Sequence, residues 1–94
     1  MISIWVHPQI AKLANDQTDW SYQPSSIEMP LGEIFNESFS GFAPLRFGIV
    51  DELGMIRRHI NIFVGGINVK KKAGIETIVF DGDLIEIFTA VSGG

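Results

Sequence analysis

Residues 81–94 read DGDLIEIFTAVSGG, and this segment carries the strongest indication of how the chain folds. Its first three residues, Asp-Gly-Asp, are typical of a tight turn with glycine at the position that needs a positive φ. The apolar run at residues 84–88 then predicts the last strand of a sheet. Small, uncharged residues follow at once and end in Gly93-Gly94. The sequence therefore predicts a strand that leads directly into a narrow C-terminal end.

Two further strands are expected near the beginning of the chain. Ile2–Val6 alternates large apolar residues with others at the two-residue period of a strand. Pro8 closes this strand, because proline cannot donate a hydrogen bond to a ladder. A second strand is expected within residues 20–29, where Pro24 and the two serines after it leave the register open.

A hairpin is predicted before the C-terminal turn. Residues 59–64 alternate again and end at Gly65-Gly66, which is a two-residue hairpin signal. Residues 67–69 are the expected short return strand. The first and last strands of the chain are the most apolar, so we expect both in the interior of the sheet.

One amphipathic helix is predicted between these strand pairs. Pro30 at its first turn and Gly41 just past its end have the asymmetry expected of a helix. Residues 9–19 and 42–58 are expected to be connections, the second with a turn at residues 51–54. The apolar stripe of the helix has the spacing i, i+3, i+4, i+8 and consists of Leu31, Ile34, Phe35 and Phe39.

This order of elements indicates an α+β protein with the β-grasp, or ubiquitin-like, fold. We expect a mixed sheet of four to five strands with one main helix packed on one face. Residues 1–94 are expected to form a single domain, since 94 residues suit one core. Residues 90–94 are expected to be its flexible C-terminal Gly-Gly tail.

The composition argues against several classes of function. With 46% hydrophobic and 19% charged residues the chain can fill a core, and a net charge of −4 argues against nucleic acid as partner. That charge suits docking on a basic surface. The lack of cysteine excludes disulfides and thiolate sites. No apolar run is long enough to span a membrane, and no signal peptide is predicted, so we expect a cytoplasmic protein without a membrane partner.

No group of side chains has the spacing of an active site. His7 and His59 lie at the edges of predicted strands and lack the further ligands that a metal needs, so no metal site is predicted. A stand-alone enzyme is therefore the least expected class. The other charged clusters are expected to be a turn or a solvated face: Asp81 with Asp83, Arg57 with Arg58, and Lys70 with Lys71 and Lys72.

The C-terminal end is the remaining candidate for chemistry. Gly93 and Gly94 lack a β-carbon, so their backbone can thread a channel that is too narrow for a side chain. The terminal carboxylate would then reach the active site of a partner unshielded. A frayed terminus is the alternative for a glycine pair considered alone.

Nearly the whole sequence resembles the ThiS/MoaD family of ubiquitin-like sulfur carrier proteins, which includes CysO-like carriers and the small subunit of molybdopterin synthase. Gly65 stands where the family usually has asparagine, which concerns only the turn. The connection at residues 42–58 is longer than in the shortest carriers and is similar in this respect to CysO-like carriers of cysteine biosynthesis. The resemblance rests on MISIWV at 1–6, LGEI at 31–34, HINIFVGG at 59–66, GIET at 74–77, DGDLIEIF at 81–88 and AVSGG at 90–94.

The resemblance implies what the C-terminal end does. An E1-like adenylyltransferase of the MoeB/ThiF type would use ATP to adenylate Gly94, and a sulfur donor would convert the adenylate into a thiocarboxylate. Gly93, Ser92 and Val91 would thread the channel of the partner. The chain would bind no cofactor itself, because ATP is used by the partner. It would be a cosubstrate, or the small subunit of a sulfur-transferring complex, rather than an enzyme.

The same resemblance implies two partner contacts. Phe88 matches an aromatic residue that family members use against the E1-like partner and, in molybdopterin synthase, against the large subunit that accepts the sulfur. Ile67, on the neighbouring hairpin, is the second candidate. For both side chains a place in the core is the alternative, and for Ile67 we favour it.

Other functions remain open at this point. Conjugation of Gly94 to lysines would make the chain a ubiquitin-like protein modifier, and an incidental tail would leave a non-catalytic β-grasp binding subunit. The pathway is also open among cysteine, molybdopterin, thiamine and sulfur-containing secondary metabolites. The AVSGG ending at residues 90–94 is closer to the molybdopterin and cysteine types than to the thiamine type.

Overall fold

The structure is a computed structural model that describes residues 1–90, and a five-stranded mixed sheet is its main feature. Three short α-helices pack with this sheet, and a two-stranded sheet adjoins it. In chain order the elements are β1 (Ile2–Val6), α1 (Pro8–Ala11), β2 (Asp19–Tyr22), β3 (Glu28–Pro30), α2 (Leu31–Ser38), α3 (Ala43–Ile49), β4 (Ile60–Val64), β5 (Ile67–Asn68), β6 (Ile78–Phe80) and β7 (Leu84–Thr89).

The order of strands in the main sheet is β2-β1-β7-β4-β5, with β1 and β7 parallel and the other neighbours antiparallel. The first and last strands both lie in the interior of the sheet, as predicted, and the structure shows that they are neighbours. The predicted helix is α2, which begins at Leu31 directly after Pro30. This topology is the predicted β-grasp arrangement.

Alternation along the three inner strands gives the sheet one buried face. In β1, in β4 and in β7 as far as Ile87, every second residue is an isoleucine or valine that points towards the helices and is buried. The helices α2 and α3 close this core from the other side. The main buried side chains are Ile2, Ile4, Val6, Leu31, Ile34, Phe35, Leu45, Ile49, Ile60, Ile62, Ile85 and Ile87.

The two predicted tight turns are confirmed by their backbone angles. Gly65 and Gly66 have φ of 58° and 83°, as a two-residue hairpin with a type I′ turn requires. Gly82 has φ of 94°, and the Asp83 carboxylate accepts a hydrogen bond from the Phe80 N–H at 2.9 Å. The first turn therefore fixes the register of β4 with β5, and the second determines where β7 begins.

The connection at residues 42–58 contains a helix, α3, that the sequence analysis did not predict. Pro44 occupies the first turn of α3, where its missing N–H is tolerated, so it does not break the helix. Leu45 and Ile49 lie one turn apart and are both fully buried. A Cβ at Gly48 would lie 2.5 Å from Cδ1 of Leu13, so this glycine allows α3 to pack closely against the turn that follows α1. The predicted turn at residues 51–54 is present, with Gly54 donating to the Asp51 carbonyl oxygen at 3.0 Å.

Two other expectations were wrong in detail. Residues 9–19 are not a plain loop, because they contain α1, which His7 caps by accepting the Gln9 N–H on Nδ1. The second strand is two strands, since β2 ends at Tyr22 and β3 pairs with β6 in a separate sheet. Strands of three residues are too short for periodicity to reveal them.

No helix within residues 1–90 is long and apolar enough to cross a membrane.

Candidate functional site

The last described strand, β7, is the central strand of the main sheet and ends between β1 and β4. The Ala90 N–H donates to the carbonyl oxygen of His59 at 2.5 Å, and the His7 N–H donates to that of Ile87 at 2.8 Å. The last described residues are thus held between the end of β1 and the beginning of β4. We call this place the tail root and define it by Thr89, Ala90 and the His59 carbonyl. Val91, Ser92, Gly93 and Gly94 lie outside the described residues, so the roles assigned to them stay predictions.

Three aromatic rings meet on the face of the sheet that points away from the helices. The ring centroids of Phe88 and Trp5 are 5.1 Å apart, and those of Phe88 and Phe63 are 5.7 Å apart. These residues lie on the adjacent strands β1, β7 and β4, and each side chain is half-buried. We call Trp5, Phe63 and Phe88 the aromatic cluster. Phe88 therefore lies outside the hydrophobic core, next to the tail root.

A carboxylate lies within this aromatic surface. Glu86 is in register with Trp5 on one side and with Phe63 on the other, so its side chain shares their face of the sheet. Among residues 1–90 no cation lies within ion-pair distance of it. A half-buried negative charge among aromatic rings is complementary to a positively charged group.

Ile67 lies elsewhere. It pairs with Val64, whose side chain points into the core, so the register places Ile67 on the face opposite to Phe88, at the sheet edge. It is 47% exposed, so the interpretation that it is a core residue was wrong. Ile67 is therefore accessible, but it does not extend the aromatic cluster.

The polar candidates of the sequence have local structural roles. His7 caps α1, and Asp81 and Asp83 lie at the turn before β7. The Lys70 ammonium donates to the carbonyl oxygen of Arg58 at 3.2 Å, which brings part of the basic cluster towards the tail root. In the described part of the chain no three histidine, aspartate or glutamate side chains are grouped so that they could hold a metal ion.

The sequence analysis missed Trp5 and Phe63 as members of the exposed surface. Both occupy the outward positions of strands whose inward positions are isoleucine or valine. Large aromatic side chains at outward positions in adjacent strands are a signal of a binding surface. This pattern can be recognised only when the strand order is known, because β1, β4 and β7 are separate in the sequence and become neighbours only in the sheet.

Comparison with known proteins gives one family match. Residues 31–94, more than half of the chain, match the model described as the ThiS family. No curated protein matches the sequence.

Solved structures show the same fold at low sequence identity. A chain of the Amycolatopsis orientalis BexX/CysO complex is 23% identical, with a TM-score of 0.85 over 100% of both chains. Mycobacterium tuberculosis CysO is 20% identical, with a TM-score of 0.82 over 97% of this chain and 100% of that one. The small archaeal modifier protein 1 from Methanosarcina acetivorans is 22% identical, with a TM-score of 0.72 over 99% and 95%.

Proposed function

The chain belongs to the ThiS family, and from this premise we propose that it is a sulfur carrier protein that works through a thiocarboxylate on Gly94. The observation that supports the proposal best is the position of β7. This strand lies between β1 and β4 inside the sheet and ends at Thr89, five residues before the end of the sequence. A rigid strand thus leads directly into a Gly-Gly end that can enter a narrow active site.

The chemistry takes place on the C-terminal carboxylate. One carboxylate oxygen of Gly94 attacks the α-phosphorus of ATP, and pyrophosphate leaves, which gives an acyl adenylate. Hydrosulfide or a sulfur donor then attacks the carbonyl carbon, and AMP leaves with the oxygen that bound it. With hydrosulfide the product is the glycyl thiocarboxylate and one proton is released. No cysteine is required on the carrier, because the sulfur is carried on the terminus.

The partner supplies what the carrier lacks. An E1-like adenylyltransferase of the MoeB/ThiF type binds ATP, orients the terminal carboxylate and excludes water from the adenylate. A sulfur-accepting synthase or large subunit receives the sulfur afterwards. The carrier is accordingly a cosubstrate that binds no cofactor of its own. The receiving pathway is one of cysteine, molybdopterin, thiamine or another sulfur-containing metabolite, and the length of residues 42–58 favours the cysteine type or a relative of it.

The aromatic cluster is the surface that we assign to docking on these partners. Trp5, Phe63 and Phe88 present half-buried rings beside the tail root, so a partner that binds to them also faces the tail root. Aromatic side chains are enriched among the residues that dominate binding energy at protein interfaces. Glu86 adds a negative charge to this surface, in accord with the net charge of −4.

A second function remains in consideration because the fold is shared with a small archaeal modifier protein. A lysine amine would then attack the same adenylate on Gly94, and an isopeptide bond would replace the thiocarboxylate. Adducts of high mass that contain this chain would identify a modifier. Their absence, together with a thiocarboxylate, would identify a carrier.

The proposal is tested by the intact mass of the chain after incubation with ATP, sulfide and an E1-like enzyme from the same source. We expect a mass gain that corresponds to one oxygen replaced by one sulfur. The gain should require ATP and should be absent from a variant that lacks Gly94. The deletion should leave the thermal unfolding unchanged, because the described core ends at Ile87. Sulfur transfer by the variant without Gly94 would contradict the proposal.

A further inference from the structure

A groove of about 600 Å³ opens beside the tail root, on the face of the sheet that the helices cover, where β7 ends and β4 begins. It lies between α1 with its following turn, α3 and the beginning of β4, and Thr89 of β7 forms part of its lining. We call it the tail-root groove. Its side chains that bear on the argument are Leu13, Pro44, Phe47, Arg57, His59 and Thr89.

The walls of the tail-root groove are apolar and are held in place. Phe47 is 49% exposed and Leu13 is 46% exposed, so two large apolar side chains are accessible to a ligand in this groove. The absence of a side chain on Gly48 lets Leu13 lie against α3. Arg57 Nε donates to the carbonyl oxygen of Phe47, which ties the end of α3 to the segment before β4. The groove is therefore preformed in the free domain.

The charge of the groove differs from that of the chain. Among residues 1–90, Arg57 and His59 are the only ionisable side chains in its lining, whereas the chain as a whole has a charge of −4. Arg58 follows Arg57, and the Lys70 ammonium lies against the Arg58 carbonyl. A local positive charge beside apolar walls suits a ligand that is apolar and carries a negative charge.

We propose that the tail-root groove binds an apolar segment with a carboxylate side chain on the protein that receives the C-terminal tail. This inference rests on the proposed function, because it takes the tail to enter a partner. The tail starts from Thr89 and Ala90 at the rim of the groove, so any protein that encloses the tail must also face Phe47 and Arg57.

The proposal gives the partner surface a definite pattern. Opposite the aromatic cluster it carries a positive charge for Glu86, and opposite the tail-root groove it carries an acidic residue for Arg57. These two charge contacts, one at Glu86 and one at Arg57, have opposite polarity and would determine the orientation in which the partner binds. The expectation of a basic docking surface, which the net charge suggests, is thereby refined.

Phe47→Ala is the decisive variant, and Phe80→Ala is its matched control. Phe80 is 51% exposed, almost the same as Phe47, but it lies in β6 of the small sheet. We expect Phe47→Ala to weaken binding to the E1-like enzyme about tenfold or more, as removal of a buried interface aromatic does. Phe80→Ala should bind like the wild-type chain. Circular dichroism of both variants establishes that each is folded at the temperature of the assay.

Two substitutions that each add a carboxylate test the electrostatic part of the proposal. His59→Glu places a carboxylate in the groove, whereas Gln23→Glu places one after β2 at the opposite end of the sheet. We expect His59→Glu to weaken binding and to do so less at high salt, because screening reduces the repulsion of two carboxylates. Gln23→Glu, with the same change in net charge, should have little effect.

The outcomes separate the two proposals. If the wild-type chain is adenylated and Phe47→Ala binds as tightly as Phe80→Ala, the groove proposal is wrong and the proposed function stands. If no E1-like enzyme from the same source binds or adenylates the wild-type chain, the proposed function is wrong, and the occupant assigned to the groove is wrong with it.

Discussion

Tyr22 is the only tyrosine of the chain, so the absorbance of tyrosinate reports on a single hydroxyl. It lies at the end of β2 and donates a hydrogen bond to Oε1 of Glu37 on α2 at 2.7 Å. Burial, and next the hydrogen bond to Glu37, raise the pKa of Tyr22 from 10.0 to about 12. This contact ties the helix to the outermost strand of the main sheet.

We predict that the ultraviolet absorbance of tyrosinate titrates well above pH 10 in the folded chain. Because the pKa is raised on folding, the protonated hydroxyl is favoured by the folded state. Its contribution to stability is therefore complete below pH 10 and is lost as the pH rises towards 12. Glu37→Gln should lower the pKa, since it removes the charge that opposes ionisation. A midpoint at 10.0 in the folded wild-type chain would contradict the contact.

Single residues also show how far the sequence predicts the candidate site. The alternation in β1, β4 and β7 assigns each side chain to a face, and the family resemblance implied a partner contact for Phe88 by its place before the Gly-Gly end. Trp5 and Phe63 could not be joined to it, because their proximity depends on strand order rather than on spacing. Ile67 shows the same limit, since only its register with Val64 reveals which face it occupies.

At the scale of elements, turns were predicted better than helices. The Gly65-Gly66 and Asp81-Gly82-Asp83 turns could be predicted because each needs a positive φ, which glycine adopts without strain. The helix α3 was missed because Pro44 and Gly48 usually interrupt helices. Here Pro44 lies in the first turn, and Gly48 faces Leu13. Both residues are compatible with a helix for reasons that become visible only in the packed structure.

The role of α3 in the core leads to a prediction about stability. Leu45 lies in the middle of α3 and is fully buried, so Leu45→Ala should lower the free energy of unfolding by about 2–5 kcal/mol. Leu53, in the following turn, is 83% exposed, and Leu53→Ala should change it by less than about 0.5 kcal/mol. Urea denaturation followed by circular dichroism measures both. Equal effects of the two substitutions would show that α3 is not part of the core.

At the scale of the whole molecule, one core unites the two sheets. Met29 of β3 and Val79 of β6 belong to the same buried cluster as the isoleucines of β1 and β7. The small sheet is therefore part of the domain, although its strands were too short to predict. The overall fold could still be predicted, because the β1, β4 and β7 patterns and the α2 stripe are enough to specify the central layer and its cover.

The two tryptophans of the chain lie on opposite faces of the sheet, so they can separate binding from folding. Trp5 packs on Phe88 in the aromatic cluster, whereas Trp20 packs on Phe39 and Phe42 on the helix side. We predict that fluorine-labelled tryptophan gives two resonances, of which mainly that of Trp5 shifts when the E1-like enzyme is added, because the partner covers the aromatic cluster, whereas Trp20 is not part of the lining of the tail-root groove. Trp5→Phe assigns the two signals.

On denaturation in urea the two resonances should disappear with the same midpoint. A single core of this size unfolds as one cooperative unit, and both rings contact residues that depend on that core. Binding of the partner should then raise both midpoints equally, because ligand binding to the folded state stabilises the whole unit. A shift of Trp20 alone on addition of the enzyme would contradict docking on the aromatic cluster, and separate midpoints would contradict the single core.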